Sequence, residues 1–192
     1  NHGDIGGYFS VDNPAISIVR TRELLMRWVE LGTVQPMFRT HDSLLPDTNP
    51  QIYSDDETLA HFAAMSELFV ALAPYRSTLM DEAYEEGLPV LRHPWFVFPE
   101  DQDALGLEFQ MMLGSDVMFA PVLDPDTTTQ SVYLPAGEWV HLWSGDVYKN
   151  PTGIWAEVEA PLGQPAYFIR GGSPVISDII THFDVVGLKS GL

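Results

Sequence analysis

"RTRELLMRWVELGTVQPMFRTH", residues 20–41, decides the architecture. Leu24, Leu25, Trp28, Val29 and Leu31 recur at helical spacing, Thr21 suits an N-cap, and Gly32 stands where the helix should end. The chain then enters "TVQPMFRTH", a short, mostly apolar run. Its last polar residues, Arg39 and His41, stand where a buried strand would emerge into a loop. Just upstream, "HGDIGGY" (residues 2–8) sets an imidazole, a carboxylate and a phenol around three glycines. The unit reads as strand end, helix, strand. That alternation marks parallel α/β architecture, in which functional groups gather at the carboxyl ends of the strands. Both polar clusters fall there.

Beyond His41 the stretch "DSLLPDTNPQIY" (42–53) has two prolines and no periodicity, and it is long for a connector. "SDDE" then predicts a capping box, with Ser54 as cap and Glu57 reaching back. Leu59, Phe62, Ala63, Leu68, Phe69 and Leu72 are the expected apolar face of the helix that follows. Pro74 should split that helix and Gly87 should end it. "ALGLEFQMMLG" is expected to form a further helix with Gly114 as its C-cap. From there the texture changes: "VMFAPVL", "SVYLP", "EWVHLWSG", "AEVEAPL" and "AYFIRG" are short β-rich runs separated by Pro and Gly, the pattern of an antiparallel sandwich. The expected domains are 1–114 and 115–192. The closing stretch from Ser173 to Leu192 carries no assignment.

With 192 residues, 45% of them hydrophobic, the chain can fill a sizeable core. It begins with Asn1, with no apolar run to serve as a signal peptide, and reads as a segment whose supporting structure lies upstream. The net charge of −18, with Lys149 and Lys189 the only lysines, excludes a polyanionic partner, because phosphate contacts need clustered Arg and Lys. Nucleic acid is therefore not expected. Without cysteine there is no disulfide, thiolate metal site or cysteine nucleophile. No run approaches the roughly 20 apolar residues of a membrane span.

His2, Asp4 and His41 could close on one ion, but their spacing matches no ligand motif, and no metal is expected. His61, His93, His141 and His182 read as packing or surface residues. Glycoside hydrolysis needs two carboxylates straddling a bond, and Asp4 and Asp42 are candidates on adjacent strand ends. Asp4, followed by Gly6 and Gly7, suits instead the acceptance of hydrogen bonds from sugar hydroxyls, or else merely caps a turn. A different class of function, a non-catalytic carbohydrate-binding module, would stack sugars on Trp139, Trp143 and Trp155; the competing reading buries those rings in the core.

Taken in order, "HGDIGGY", "ELLMRWVELGTVQPMFRTH", "GLPVLRHPWFVFPED", "MMLGSDVMFAPVL" and "YLPAGEWVHLWSG" resemble consecutive blocks of the retaining α-glycosidases of glycoside hydrolase family 31. The texture of "ELLMRW", "MFRTH" and "DDETLAHFAAMSELF" is most similar to the branch that cleaves glycosides of the sulfonated sugar sulfoquinovose. The resemblance implies an α/β plus all-β fold: the seventh and eighth strands and last helices of a (β/α)8 barrel, followed by a C-terminal antiparallel β-sandwich. It implies that the Asp nucleophile and the Asp acid/base both precede the opening block, leaving no catalytic residue in these 192. It assigns Asp4, Tyr8 and His41 to binding the sugar in the −1 subsite, with Tyr8 facing the sulfonate where many α-glucosidases have Phe. No cofactor follows from it. The expected partners are a small-molecule glycoside and the upstream part of the same polypeptide, with a homo-oligomer left open and a bacterial cytoplasmic location. α-Glucosidase and α-xylosidase activities are the alternatives. Two departures stand out: Gly3 replaces a usual Ser, and His93 a common Pro.

Overall fold

The computed structural model describes residues 3–192, so His2 of the opening cluster lies outside the described residues. Ile5 and Thr40 form an isolated parallel bridge, in which the Ile5 amide donates to the Arg39 carbonyl at 3.0 Å and the His41 amide donates to the Ile5 carbonyl at 3.4 Å. The strands expected on either side of the first helix are reduced to this one bridge, which still sets their ends side by side. Between them lie a small hairpin, β1 (Val11–Asn13) and β2 (Ile16–Ile18), and helix α1 (Arg22–Gly32).

Thr21 caps α1 as expected, its side chain accepting from the Leu24 amide. The buried face is turned from the predicted one: Leu25, Met26 and Val29 are inside together with Arg27 and Glu30, while Leu24 is 46% exposed. Gly32 is the last residue of the helix and not the one after it, and a Cβ there would lie 2.6 Å from Ile5 Cδ1. The glycine lets the helix cross the bridged strand at close range.

Helix α2 (Asp56–Ala71) is capped by Asp55, whose carboxylate accepts from the Thr58 amide, and not by Ser54. The Ser54 hydroxyl is already accepting from the Gln51 amide at 2.7 Å. The buried stripe is Thr58, His61, Met65, Leu68 and Leu72; Leu59 and Ala63 of the expected face are exposed. Phe62 and Phe69 are half-buried and stack on Phe38, with centroids 5.4 and 5.1 Å away. Pro74 sits in the first turn of α3 (Ala73–Glu86), which Gly87 ends in the left-handed conformation.

The rest of the chain supplies β3 (Leu91–Arg92), the single turns α4 (Pro94–Val97) and α5 (Gln102–Leu105), β4 (Met111–Leu113), β5 (Val117–Ala120), β6 (Thr129–Leu134), β7 (Gly137–His141), β8 (Val147–Asn150), β9 (Ile154–Glu159), β10 (Ala166–Arg170) and helix α6 (Val175–Val186). Six strands form one antiparallel sheet in the order β3-β4-β5-β10-β7-β8, and β6 pairs with β9 separately. The expected helix ending at Gly114 is not formed. Only α5 is helical, and Met111–Leu113 pairs with β5 in the register Met112↔Met118, a case of long-range pairing overriding local pattern. Gly114 turns the chain between β4 and β5 at φ +59, where a Cβ would strike the Tyr75 hydroxyl.

The six-stranded sheet divides two cores by strict alternation. Leu113, Val117, Phe119, Tyr167 and Ile169 face the helices, joining Leu25, Val29, Leu68, Ile179 and Phe183. Met112, Met118, Ala120, Ala166 and Phe168 face the other way, onto Val132, Leu134 and Val158 of the β6–β9 pair. This second core is the interior of the sandwich. The sheet takes in β3 and β4, both on the N-terminal side of Gly114.

Candidate functional site

The glycine-rich turn is built by two successive left-handed residues, Gly6 at φ +84 and Gly7 at φ +75, closed by the Gly7 amide donating to the Asp4 carbonyl at 2.7 Å. At Gly6 a Cβ would lie 2.6 Å from Arg20 Nη1 and 2.9 Å from Leu25 Cδ1, so glycine is required there by contact as well as by φ. The turn delivers Asp4 and Tyr8 to the end of the bridge at which His41 emerges.

Tyr8 is 58% exposed. Its ring meets that of His41 edge to face, with centroids 6.3 Å apart and planes at 72°. Its carbonyl accepts from the Leu44 amide at 3.0 Å, which ties the turn to the loop after His41. His41 Nδ1 accepts the Ser43 amide at 2.9 Å, so in the neutral ring the proton resides on Nε2. That leaves an N–H donor on the side away from the loop. The geometry requires Ser43 at φ +74, an uncommon left-handed conformation for a residue with a side chain.

Asp4 forms an ion pair with Arg39, whose own side chain is half exposed. The pair follows from the bridge: residues 4 and 39 each precede one of its members, Ile5 and Thr40. Sequence reading placed Arg39 at a strand end without giving it a partner, and the i−1/i−1 relation across the predicted strand pair was the signal available. Asp42, the other carboxylate considered, is exposed, and its carbonyl accepts from Gln51 Nε2 at 2.9 Å.

The other four histidines among the described residues serve packing, capping and side-chain pairing. His61 is buried and donates to the Met26 carbonyl at 3.0 Å, while His93 caps α4. His141 bonds Ser144 Oγ, and His182 reaches Glu67 at 2.8 Å. Among the described residues no group of three His, Asp or Glu side chains is arranged to hold a metal ion. Trp139 is fully buried, with its indole N–H on the Pro135 carbonyl, and Trp143 bonds the Pro165 carbonyl; of these three rings Trp155 alone is exposed, leaning on Tyr133. A groove of about 510 Å³ between α1 and Pro121–Pro125 is lined by Leu24, Trp28, Leu31, Val122 and Leu123 and contains none of Asp4, Tyr8 and His41. No helix among the described residues is long and apolar enough to cross a membrane.

Two family models account for nearly the whole chain: the glycosyl hydrolases family 31 TIM-barrel domain matches residues 2–86, and the glycosyl hydrolase family 31 C-terminal domain matches residues 87–175. The chain belongs to glycoside hydrolase family 31. Within the family it is 43% identical over 174 residues to a sulfoquinovosidase of Agrobacterium fabrum and 36% identical to one of Escherichia coli, in each case over 90% of this chain. An α-glucosidase of Bacillus thermoamyloliquefaciens is 29% identical. Among solved structures, a family 31 sulfoquinovosidase from E. rectale in complex with the aza-sugar inhibitor IFGSQ superposes with a TM-score of 0.87, at 36% identity, over 96% of this chain and 26% of that one. A family 31 α-xylosidase from a soil metagenome, complexed with xylose, gives 0.72 at 29% identity, over 92% of this chain and 28% of that one. The chain spans about a quarter of the length of the curated sulfoquinovosidases that it matches.

Proposed function

We propose that this chain forms one side of the sugar subsite of a retaining α-glycosidase acting on α-sulfoquinovosides. The observation that carries the reading is the meeting of Tyr8 and His41, ring to ring, beside Asp4 at bridged strand ends, in a chain 43% identical to a sulfoquinovosidase. In this reading the Asp4 carboxylate accepts hydrogen bonds from sugar hydroxyls, with Arg39 offsetting its charge. The Nε2–H of His41 donates to a hydroxyl oxygen of the same ring. The bonds that Asp4 accepts strengthen as positive charge develops on the ring toward the oxocarbenium-like transition state, and the bond from His41 fixes the ring's position. The Tyr8 hydroxyl donates to the sulfonate, directly or through a water, which is nearly as favourable. Both catalytic carboxylates belong to the preceding part of the polypeptide, as the family resemblance implies.

The neutral-sugar alternative is supported by the α-glucosidase and α-xylosidase relatives at 29% identity. The binding-module alternative keeps only Trp155 as an exposed ring, since Trp139 is fully buried and Trp143 half-buried. The experiment is to express a polypeptide of the relatives' full length that carries this chain and to compare kcat/KM for an aryl α-sulfoquinovoside and the matching aryl α-glucoside. The proposal expects the sulfoquinovoside to be preferred by at least tenfold. Equal turnover or a glucoside preference would reject it in favour of the neutral-sugar reading.

A further inference from the structure

Arg20 reaches the proposed sugar site only through the backbone of His41, and its amide and guanidinium donors are spent on the loop that shapes the site. The residue is 7% exposed; burial lowers its pKa, and the Asp42 carboxylate opposes that at a distance. Its amide donates to Asn49 Oδ1 at 2.9 Å, Nε to the Pro50 carbonyl at 2.7 Å, Nη1 to the His41 carbonyl at 2.8 Å, and Nη2 to Gln51 Oε1 at 2.7 Å. Gln51 relays the hold, its Nε2 donating to the carbonyls of Asp42, Pro46 and Asn49. Asn49 Nδ2 binds Ser10 Oγ and the Leu45 carbonyl. A planar guanidinium presents its donors in a fixed fork, and here the fork reaches both ends of the 42–50 segment at once. The seat exists because Gly6 has no Cβ: one would lie 2.6 Å from Nη1.

Resting on the reading of His41 given above, we infer that Arg20 is a positioning residue that acts through His41. By gripping the His41 carbonyl and the far end of the loop, it holds Ser43 in its left-handed conformation. The Ser43 amide then occupies Nδ1, and the imidazole presents Nε2–H to the sugar. A lysine at position 20 keeps the charge but cannot make the forked contacts.

The test is a double-mutant cycle in the full-length polypeptide with the aryl α-sulfoquinovoside, joined to nitrogen NMR of the histidine rings. Arg20→Lys should lower kcat/KM at least tenfold in the wild-type background and less than twofold in the His41→Ala background. The His41 ring should pass from a single Nε2–H tautomer to a mixture. Gln51→Leu, which leaves Arg20 in place and removes its relay, should show the same pattern at smaller amplitude, and it carries the test if Arg20→Lys does not fold. Losses that multiply between Arg20→Lys and a damaging His41→Ala, or a tautomer unchanged by either loop variant, would overturn the inference alone. A His41→Ala variant with full activity would overturn both the inference and the sugar-site reading.

Discussion

Gly3, where the family resemblance leads to the expectation of a Ser, adjoins a donor that is unsatisfied among the described residues. Among the described residues the buried Trp28 indole N–H has no acceptor, and a Cβ on Gly3 would lie 3.6 Å from it in ordinary contact. No positive φ bars a side chain there. A serine hydroxyl could reach that N–H, and satisfying a buried donor is worth about 1 kcal/mol. Gly3→Ser is therefore expected to raise the thermal midpoint of the full-length polypeptide, and a lower midpoint would show that the indole is better left dry. The three groups proposed to meet the sugar were legible as residue types crowded at strand ends. Their supports were not. Arg39 could have been paired with Asp4 only by aligning the two expected strand ends, and nothing in the linear sequence marks Arg20, one of seven arginines, as the one that folds onto a row of carbonyls.

Helix α1 bears on the sandwich through a buried polar contact that its amphipathic pattern conceals. Glu30 accepts from the Gly163 amide at 2.7 Å and from Arg27 Nη1 at 3.0 Å, and Arg27 Nη2 donates to the Thr127 carbonyl at 2.7 Å. His61 of α2 completes the cluster, its Nε2 3.9 Å from Glu30. Periodicity read the buried face as Leu24, Leu25, Trp28, Val29 and Leu31 and left Arg27 and Glu30 out of it, because a charged pair at i and i+3 looks like a solvated edge unless its burial is known. The same limit made Met111–Leu113 read as helix: three apolar residues serve either structure until a partner strand is given. The predicted strands β5, β6, β7, β9 and β10, each bounded by Pro or Gly, formed where punctuation and β-branched or aromatic content agreed. Burial pushes the Glu30 carboxyl up to about 7, Arg27 opposing, while burial lowers His61 with Arg27 adding to it and the Met26 carbonyl and Glu57 opposing. The two act on stability with opposite sign. The folded state retains a proton on Glu30 that the unfolded chain releases near 4.5, so that contribution is full below 4.5 and is lost as pH rises through about 7. The unfolded chain protonates His61 near 6.5 before the folded state does, so stability on its account is lost as pH falls below that value. Glu30→Gln removes only the first effect. The variant's thermal midpoint relative to wild type should therefore climb between about pH 5 and pH 8. A constant or shrinking difference would mean that Arg27 keeps Glu30 ionised throughout.

With a net charge of −18, the chain repels anions at long range, although salt confines that field to about 8 Å at physiological ionic strength. A sulfonated sugar must therefore be held by local donors, and on this side of the pocket the exposed phenol of Tyr8 is the group proposed to supply one. The chain spans about a quarter of its curated relatives, and by resemblance both catalytic carboxylates lie in the part that it does not cover. Residues 1–192 expressed alone are accordingly expected to hydrolyse no aryl α-glycoside, and measurable turnover by the purified piece would place a catalytic pair within it. The measurement closest to the centre of the account is Tyr8→Phe in the full-length polypeptide, assayed on an aryl α-sulfoquinovoside and on the matching α-glucoside. Specificity is a difference between two free energies, and the substitution removes one hydroxyl from a position that only the sulfonate should engage. The account predicts a loss of about 1.5–3 kcal/mol in kcat/KM for the sulfoquinovoside, smaller if a water intervenes, and almost none for the glucoside. Equal losses on both substrates would contradict it, showing that Tyr8 shapes the pocket without reading the anion.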